Sequence, residues 1–238
     1  MRFRYNNNLA TKACIYTIIA LSFSLITNDG QENVYWNQFR GPNGQGVVEA
    51  DRIPVHFSPE SNVLWKNAIP EGHSSPVIWD NRIFLTASEP ANKEELITLA
   101  VDRQDGKILW RKVVQAETKV RFHPLNNPAS STPAVDDKHV YVYFGTYGLI
   151  CYDHVSNVVW QRKIDTPKSK YGMATSPIAA GDKIIVASVK GVVTVIQTDD
   201  KLNVLARNNF GDKIFATPTI AENKIYVRTT GHLYALGK

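Results

Sequence analysis

SSPVIWDNRIFL (residues 74–85) returns three times in altered form: STPAVDDKHVYV (131–142), TSPIAAGDKIIV (175–186) and ATPTIAENKIYV (216–227). The prolines stand at 76, 133, 177 and 218, so the intervals are 57, 44 and 41 residues. A repeat of this length marks an array of small units that must stack to bury a core. Each copy opens with Ser/Thr-Pro, runs through a short apolar piece to a turn, and continues into a run rich in β-branched and aromatic residues. That second run reads as a strand.

The second copy shows what one unit holds. Pro133-Ala134-Val135 is short and apolar, and Asp136-Asp137-Lys138 turns. His139 to Phe144 is a strand, Gly145 to Gly148 turns, Leu149 to Asp153 is a third strand, and Val158 to Ile164 is a fourth. Four strands joined by tight turns make an antiparallel meander. The second strand of each unit is apolar at nearly every position, so it needs cover on both faces. Four-stranded sheets stacked face to face around an axis give that cover. The predicted fold is therefore an all-β propeller of about four blades. A β-sandwich explains strands but not the constant order of elements.

The third strand usually ends on an acidic residue, and a turn leads to a fourth strand bearing tryptophan, which the third copy lacks at Leu202 to Leu205. Asp102, Gly106 and Trp110 show the pattern in full, and Asp153, Asn157 and Trp160 repeat it. Gly106 and Asn157 suit a turn position with positive φ. Before the first copy, Asn62 to Lys66 carries Trp65 in the same fourth-strand pattern. The last copy stops after its third strand. Pairing residues 62–69 with that last unit would close the ring and hide two sheet edges. Three arrangements fit the count: a closed four-bladed ring, an open arc that has lost internal blades, and a half-ring completed by a second copy as a homodimer.

The run A-x-D-x-x-(T/D)-G-x-x-x-W resembles the repeat of the PQQ-like propeller family. That family includes quinoprotein dehydrogenases and also non-catalytic propellers, such as a lipoprotein of the outer-membrane barrel-assembly machinery. The lead-in WNQFRGPNG (36–44) looks like that of secreted bacterial members. The resemblance covers about residues 35–238 and implies the fold, and usually seven or eight blades. It does not carry chemistry, because one fold serves many functions.

Residues 1–28 read as a signal peptide or N-terminal anchor. Arg2, Arg4 and Lys12 are followed by the apolar run from Ala13 to Ile26. Residues 29–61 form an extended lead-in, and 62–238 the propeller. The formal charge of +5 includes those three cations, so about +2 remains without them, which removes the main support for a nucleic-acid partner. Of the two cysteines, Cys14 lies in the signal, and Cys151 alone in the propeller leaves no intrachain disulfide there.

Loops at one end of a propeller converge, so the segments entering each Ser/Thr-Pro are the place to seek a site. His73, Arg121, His123, Asn126, Asn127, Lys170 and Tyr171 stand there as candidate ligand-binding residues. Two histidines without a third ligand do not make a zinc site. No serine has a nucleophile-elbow context, and Gly41 to Gly46 lacks the strand, Lys-Ser/Thr and helix of a phosphate loop. The resemblance implies that a quinoprotein enzyme would carry a vicinal cysteine pair and a calcium shell of Glu and Asn, and no residue here matches them by motif. The expectation is a secreted or periplasmic, non-catalytic propeller without cofactor, PQQ or calcium. It would bind a protein, peptide or glycan and touch membrane only through its N-terminus. The alternative is a quinoprotein-type oxidoreductase or an accessory domain of a secreted enzyme.

Overall fold

The computed structural model describes residues 35–237 except 51, 90–93, 119, 121, 124, 164–174 and 222. The signal segment, 1–28, lies outside the described residues. Blade 1 comprises β2 (Val77–Trp79), β3 (Arg82–Ser88), β4 (Glu95–Asp102) and β5 (Ile108–Gln115), with β1 (Tyr35–Trp36) added at its first edge. Blade 2 comprises β6 (Ala134–Val135), β7 (His139–Phe144), β8 (Gly148–Asp153) and β9 (Val158–Lys163). Blade 3 comprises β10 (Ile178–Ala180), β11 (Lys183–Ala187), β12 (Val192–Gln197) and β13 (Asn203–Asn209). Blade 4 has three strands, β14 (Thr219–Ala221), β15 (Lys224–Arg228) and β16 (Leu233–Leu236). Every pairing is antiparallel between chain neighbours, as expected of a meander. The fold is a β-propeller type built of these sheets. No helix among the described residues is long and apolar enough to cross a membrane.

Strand β7 explains why the second strand of a unit is apolar at nearly every position. All six of its residues are buried. Side chains alternate across a sheet, so Val140, Val142 and Phe144 enter a core shared with blade 1. Tyr141 and Tyr143 enter a core shared with blade 3. One strand thus serves two interfaces, and no position is left for a polar residue facing water.

The third and fourth strands of blades 1, 2 and 3 each carry a register shift, at Ala100/Val101, Cys151/Tyr152 and Val195/Ile196. An extra residue bends and twists a strand. In blades 1 and 2 the bend lies beside the fourth-strand tryptophan, and each indole reaches the next unit; β13 carries no tryptophan. Trp110 Nε1 donates to the His154 carbonyl at 3.0 Å, and Trp160 Nε1 to the Asp199 carbonyl at 3.2 Å. The acidic residue before each turn organises it. Asp102 Oδ1 accepts Gln104 N–H, and Asp153 Oδ1 accepts Val155 and Asn157 N–H. Gly106 has φ 74°, as expected, and the Trp65 ring lies where a Cβ would go. In the second blade the positive φ falls on Ser156, at 86°, and not on Asn157, whose side chain instead donates to Asp153 Oδ2.

The expected ring closure is not formed. Residues 62–69 make no strand, and β16 has no fourth-strand partner among the described residues. Leu64 is 96% exposed. Trp65 nevertheless acts as a fourth-strand tryptophan: its Nε1 donates to the Arg103 carbonyl at 3.0 Å, and Asn67 Nδ2 donates to the Gly106 carbonyl at 2.7 Å. Both acceptors lie on the β4–β5 turn. These side chains fix the segment to blade 1, while its backbone finds no ladder to join.

Candidate functional site

The repeated Ser/Thr before each proline builds the inner rim. Ser75 N–H donates to Thr132 Oγ1 at 3.0 Å, Thr132 N–H to Ser176 Oγ at 3.0 Å, and Ser176 N–H to Thr217 Oγ1 at 3.1 Å. The partners are 57, 44 and 41 residues apart, the intervals of the sequence repeat. Proline follows each of these residues and has no N–H of its own. The hydroxyl therefore gives the neighbouring blade an acceptor where the local ladder has not yet begun. The inner strands β2, β6 and β10 lie side by side behind this chain of bonds.

The lead-in crosses the same inner edges. Strand β1 pairs with β2, the Asn37 carbonyl accepts Val135 N–H at 2.9 Å, and Gln38 Oε1 accepts Ala179 N–H at 2.7 Å. A 3-10 turn at Pro42–Gly44 then lies against β14. Gly41, with φ 70°, is required here because a Cβ would meet the Trp36 ring at 2.6 Å. Residues 35–44 thus touch all four blades. A cavity of about 1160 Å³ remains beside them, lined by Gln38, Arg40, Trp79, Ile178 and Ile220 among others.

The candidate residues fall into three groups. Arg121, Lys170 and Tyr171 lie outside the described residues. His73 and His123 are exposed. His73 N–H donates to the Ala129 carbonyl at 3.0 Å, and His123 Nδ1 accepts Leu125 N–H at 3.3 Å. Asn126 N–H donates to the His123 carbonyl at 2.8 Å. Asn127 is 4% exposed, and its Oδ1 accepts Ala129 N–H at 2.8 Å and Ser88 Oγ–H at 3.1 Å. It ties a loop to blade 1, and its amide oxygen already has two donors. The bond from His73 to Ala129 brings residues 71–75 beside the 122–131 loop, so two of the four loop segments meet.

Buried titratable groups are engaged in packing. Burial pushes the Cys151 thiol and the Tyr141 and Tyr143 hydroxyls upward, and Tyr152 up to about 12. Tyr141 also donates to Asp136 Oδ2 at 2.9 Å. Burial lowers His154, whose Nε2 is 2.9 Å from the Asp136 carbonyl oxygen. A thiol held neutral is a poor nucleophile. Among the described residues no group of three or more His, Cys, Asp or Glu is placed to hold a metal. The sequence holds no vicinal cysteine pair, and the described residues hold no acidic shell of the kind that a quinone with calcium would need.

A second cavity, about 410 Å³, opens between blades 2 and 3. Arg162, Lys163, Lys190 and Arg207 line it over a floor that includes Leu149, Val186 and Ile196, and no acidic residue among the described residues lines it. None of these cations belongs to a local motif, so none stood out in the sequence.

The sequence profile described as outer membrane protein assembly factor BamB matches residues 51–236. No curated protein matches the chain. Among solved structures, the quinohemoprotein alcohol dehydrogenase from Comamonas testosteroni aligns with TM-score 0.52 and 17% identity, over 67% of this chain and 29% of that one. The computationally designed Ika8 protein aligns with TM-score 0.50 and 10% identity, over 74% of this chain and 49% of that one. BamB from Moraxella catarrhalis aligns with TM-score 0.38 and 15% identity, over 72% of this chain and 59% of that one. The chain therefore spans less than two thirds of the length of each of these three, and at such identities the likeness concerns fold alone.

Proposed function

The chain belongs to the family of outer membrane protein assembly factor BamB, and from that premise we propose that it is a non-catalytic propeller scaffold that binds a polypeptide partner. The family match over residues 51–236 carries the reading. Two observations support it. The lead-in already occupies the inner edges of the blades, and the buried titratable groups serve packing. Binding then belongs to the loop face around His73 and His123 and to the outer clefts. The basic and apolar N-terminal run supports a secreted or periplasmic location. In this reading the protein works without PQQ or calcium.

The test is site-specific photo-crosslinking in the native cell, with the probe residue placed at His73 and at His123, together with absorbance and calcium content of the purified protein. A discrete polypeptide adduct and a protein free of quinone are expected. One bound quinone with one calcium per chain overturns the scaffold reading in favour of a quinoprotein oxidoreductase, and absence of any adduct removes the loop face from that reading.

A further inference from the structure

We propose that the cleft between blades 2 and 3 seats an acidic polypeptide segment in extended form, its carboxylates entering between Arg162 and Arg207. The inference deepens the scaffold reading by giving the chemistry of the partner, and it rests on that reading. Two cross-strand rows face each other here. Tyr143, Leu149 and Arg162 are register partners across blade 2, and Val186, Thr194 and Arg207 across blade 3. Each row starts with an inner residue and ends in an arginine on the outermost strand. Lys190 reaches the same cavity from the β11–β12 turn.

Charge accounting separates this cleft from ordinary surface. Lys163 pairs with Glu117 at 2.6 Å. Arg162, Lys190 and Arg207 have no acidic partner among the described residues. Cations grouped in a cleft with low-dielectric walls concentrate positive potential and draw an anion. The junction between blades 1 and 2 is built differently. There the row corresponding to Val186, Thr194 and Arg207 is Val142, Ile150 and Gln161. Gln161 Oε1 accepts the hydroxyl of Tyr147, a residue 5% exposed. Ile150 and Tyr147 are buried at that place. Threonine and arginine leave the second junction open at about 410 Å³, within the usual size of a ligand pocket.

The backbone favours a peptide over a sugar. Strands β9 and β13 are the outermost of their sheets and pair with no further strand among the described residues. Their outward N–H and C=O groups flank the cleft. An extended segment can add to either edge by main-chain bonds and send every second side chain inward. Arginine holds a carboxylate with two parallel N–H donors, and the floor at Leu149, Val186 and Ile196 receives the aliphatic part of glutamate.

The experiment is fluorescence anisotropy of the whole chain with a labelled decapeptide alternating Glu and Thr, its Gln-for-Glu counterpart, and a sulfated oligosaccharide. The Glu peptide is expected to bind at least tenfold more tightly than the Gln peptide and to weaken as salt rises. Arg162→Gln and Arg207→Gln are each expected to lower its affinity at least tenfold, while Lys112→Gln, in the blade 1 row of Thr86, Thr98 and Lys112, leaves it unchanged. A photoreactive version of the peptide should label β9 or β13, a readout independent of the variants. Equal binding of the two peptides, labelling elsewhere, no effect of either arginine variant in a folded protein, or preference for the oligosaccharide overturns the proposal. A crosslinked partner in cells together with no Glu-peptide binding removes the cleft assignment and leaves the scaffold reading standing. Absence of both removes the scaffold reading as well.

Discussion

The chain of hydroxyls along the inner rim makes a directional prediction. Each hydroxyl accepts from the preceding blade, so removing it strands a backbone N–H one blade earlier. Ser176→Ala leaves Thr132 N–H without its acceptor, and Thr132 is buried. Thr132→Val strands Ser75 N–H, which is half-buried, and Thr217→Val strands the buried Ser176 N–H. A buried donor left unsatisfied costs about 1–3 kcal/mol. Ser176→Ala and Thr217→Val should thus fall toward the top of that range, and Thr132→Val, where water can reach the donor, toward the bottom. Among the described residues no N–H donates to the Ser75 hydroxyl, so Ser75→Ala should stay within about 0.5 kcal/mol of the parent. Urea unfolding measures this directly. At a slope near 2 kcal/mol/M, a loss of about 2 kcal/mol moves the midpoint by about 1 M with the slope unchanged. Two results would refute the reasoning. Ser176→Ala without a shift would mean that the rim bonds contribute nothing. Ser75→Ala as costly as the others would mean that its hydroxyl has a donor, as it would in a closed ring.

The remaining expectations concern the tryptophans, one histidine and the cysteine. Trp110 packs on Phe84 and Tyr152 with ring centroids 5.9 and 5.8 Å away; Trp110→Ala should cost roughly 3 kcal/mol or more in the same assay, and Trp110→Phe, which chiefly loses the bond to the His154 carbonyl, about 1 kcal/mol. Burial lowers the folded-state pKa of His154, so the unfolded chain binds the proton more readily. Its contribution is fully present above the unfolded value of about 6.5 and is lost as pH falls below it. His154→Gln should flatten that part of a stability–pH curve, and an unchanged curve would count against it. Cys151 is buried and its thiol is pushed upward; it should resist thiol reagents at neutral pH until urea unfolds the chain, and rapid labelling of the native protein would contradict this.

The repeat was legible because its chemistry is local. Proline, an apolar pair, a turn and an apolar strand are read from neighbouring residues, and the strands fall where those residues place them. The tryptophan pattern was also local, although the reach of each indole to the following turn needed two sheets side by side. The path of residues 35–44 was not legible. Gln38 meets Ala179 from 141 positions away, and nothing near either residue announces the other. The cleft cations escaped for the same reason: Arg162 and Arg207 are exposed edge charges, and that they share one cleft shows only when their sheets are apposed. Residues 62–69 show the opposite error. The sequence pattern marked Trp65 as a fourth-strand residue, and its indole bonds as the other two do, but it lies in no strand: a strand also needs a ladder, and side-chain anchoring to Arg103 and Gly106 supplied a position without one. Of the loop candidates, Asn127 was selected for polarity, and that polarity is used inward.

Arrays of repeated units ordinarily behave as one-dimensional chains in which each unit feels only its neighbours and can melt from an end. The segment at residues 35–44 changes that behaviour. It pairs with the first blade, bonds to the second and third, and rests against the fourth. Loss of any one blade therefore loosens a contact held by all the others. The units should melt together in a single transition, and cleavage of the chain just after Gly46 should leave that cooperativity intact only while the severed piece stays bound.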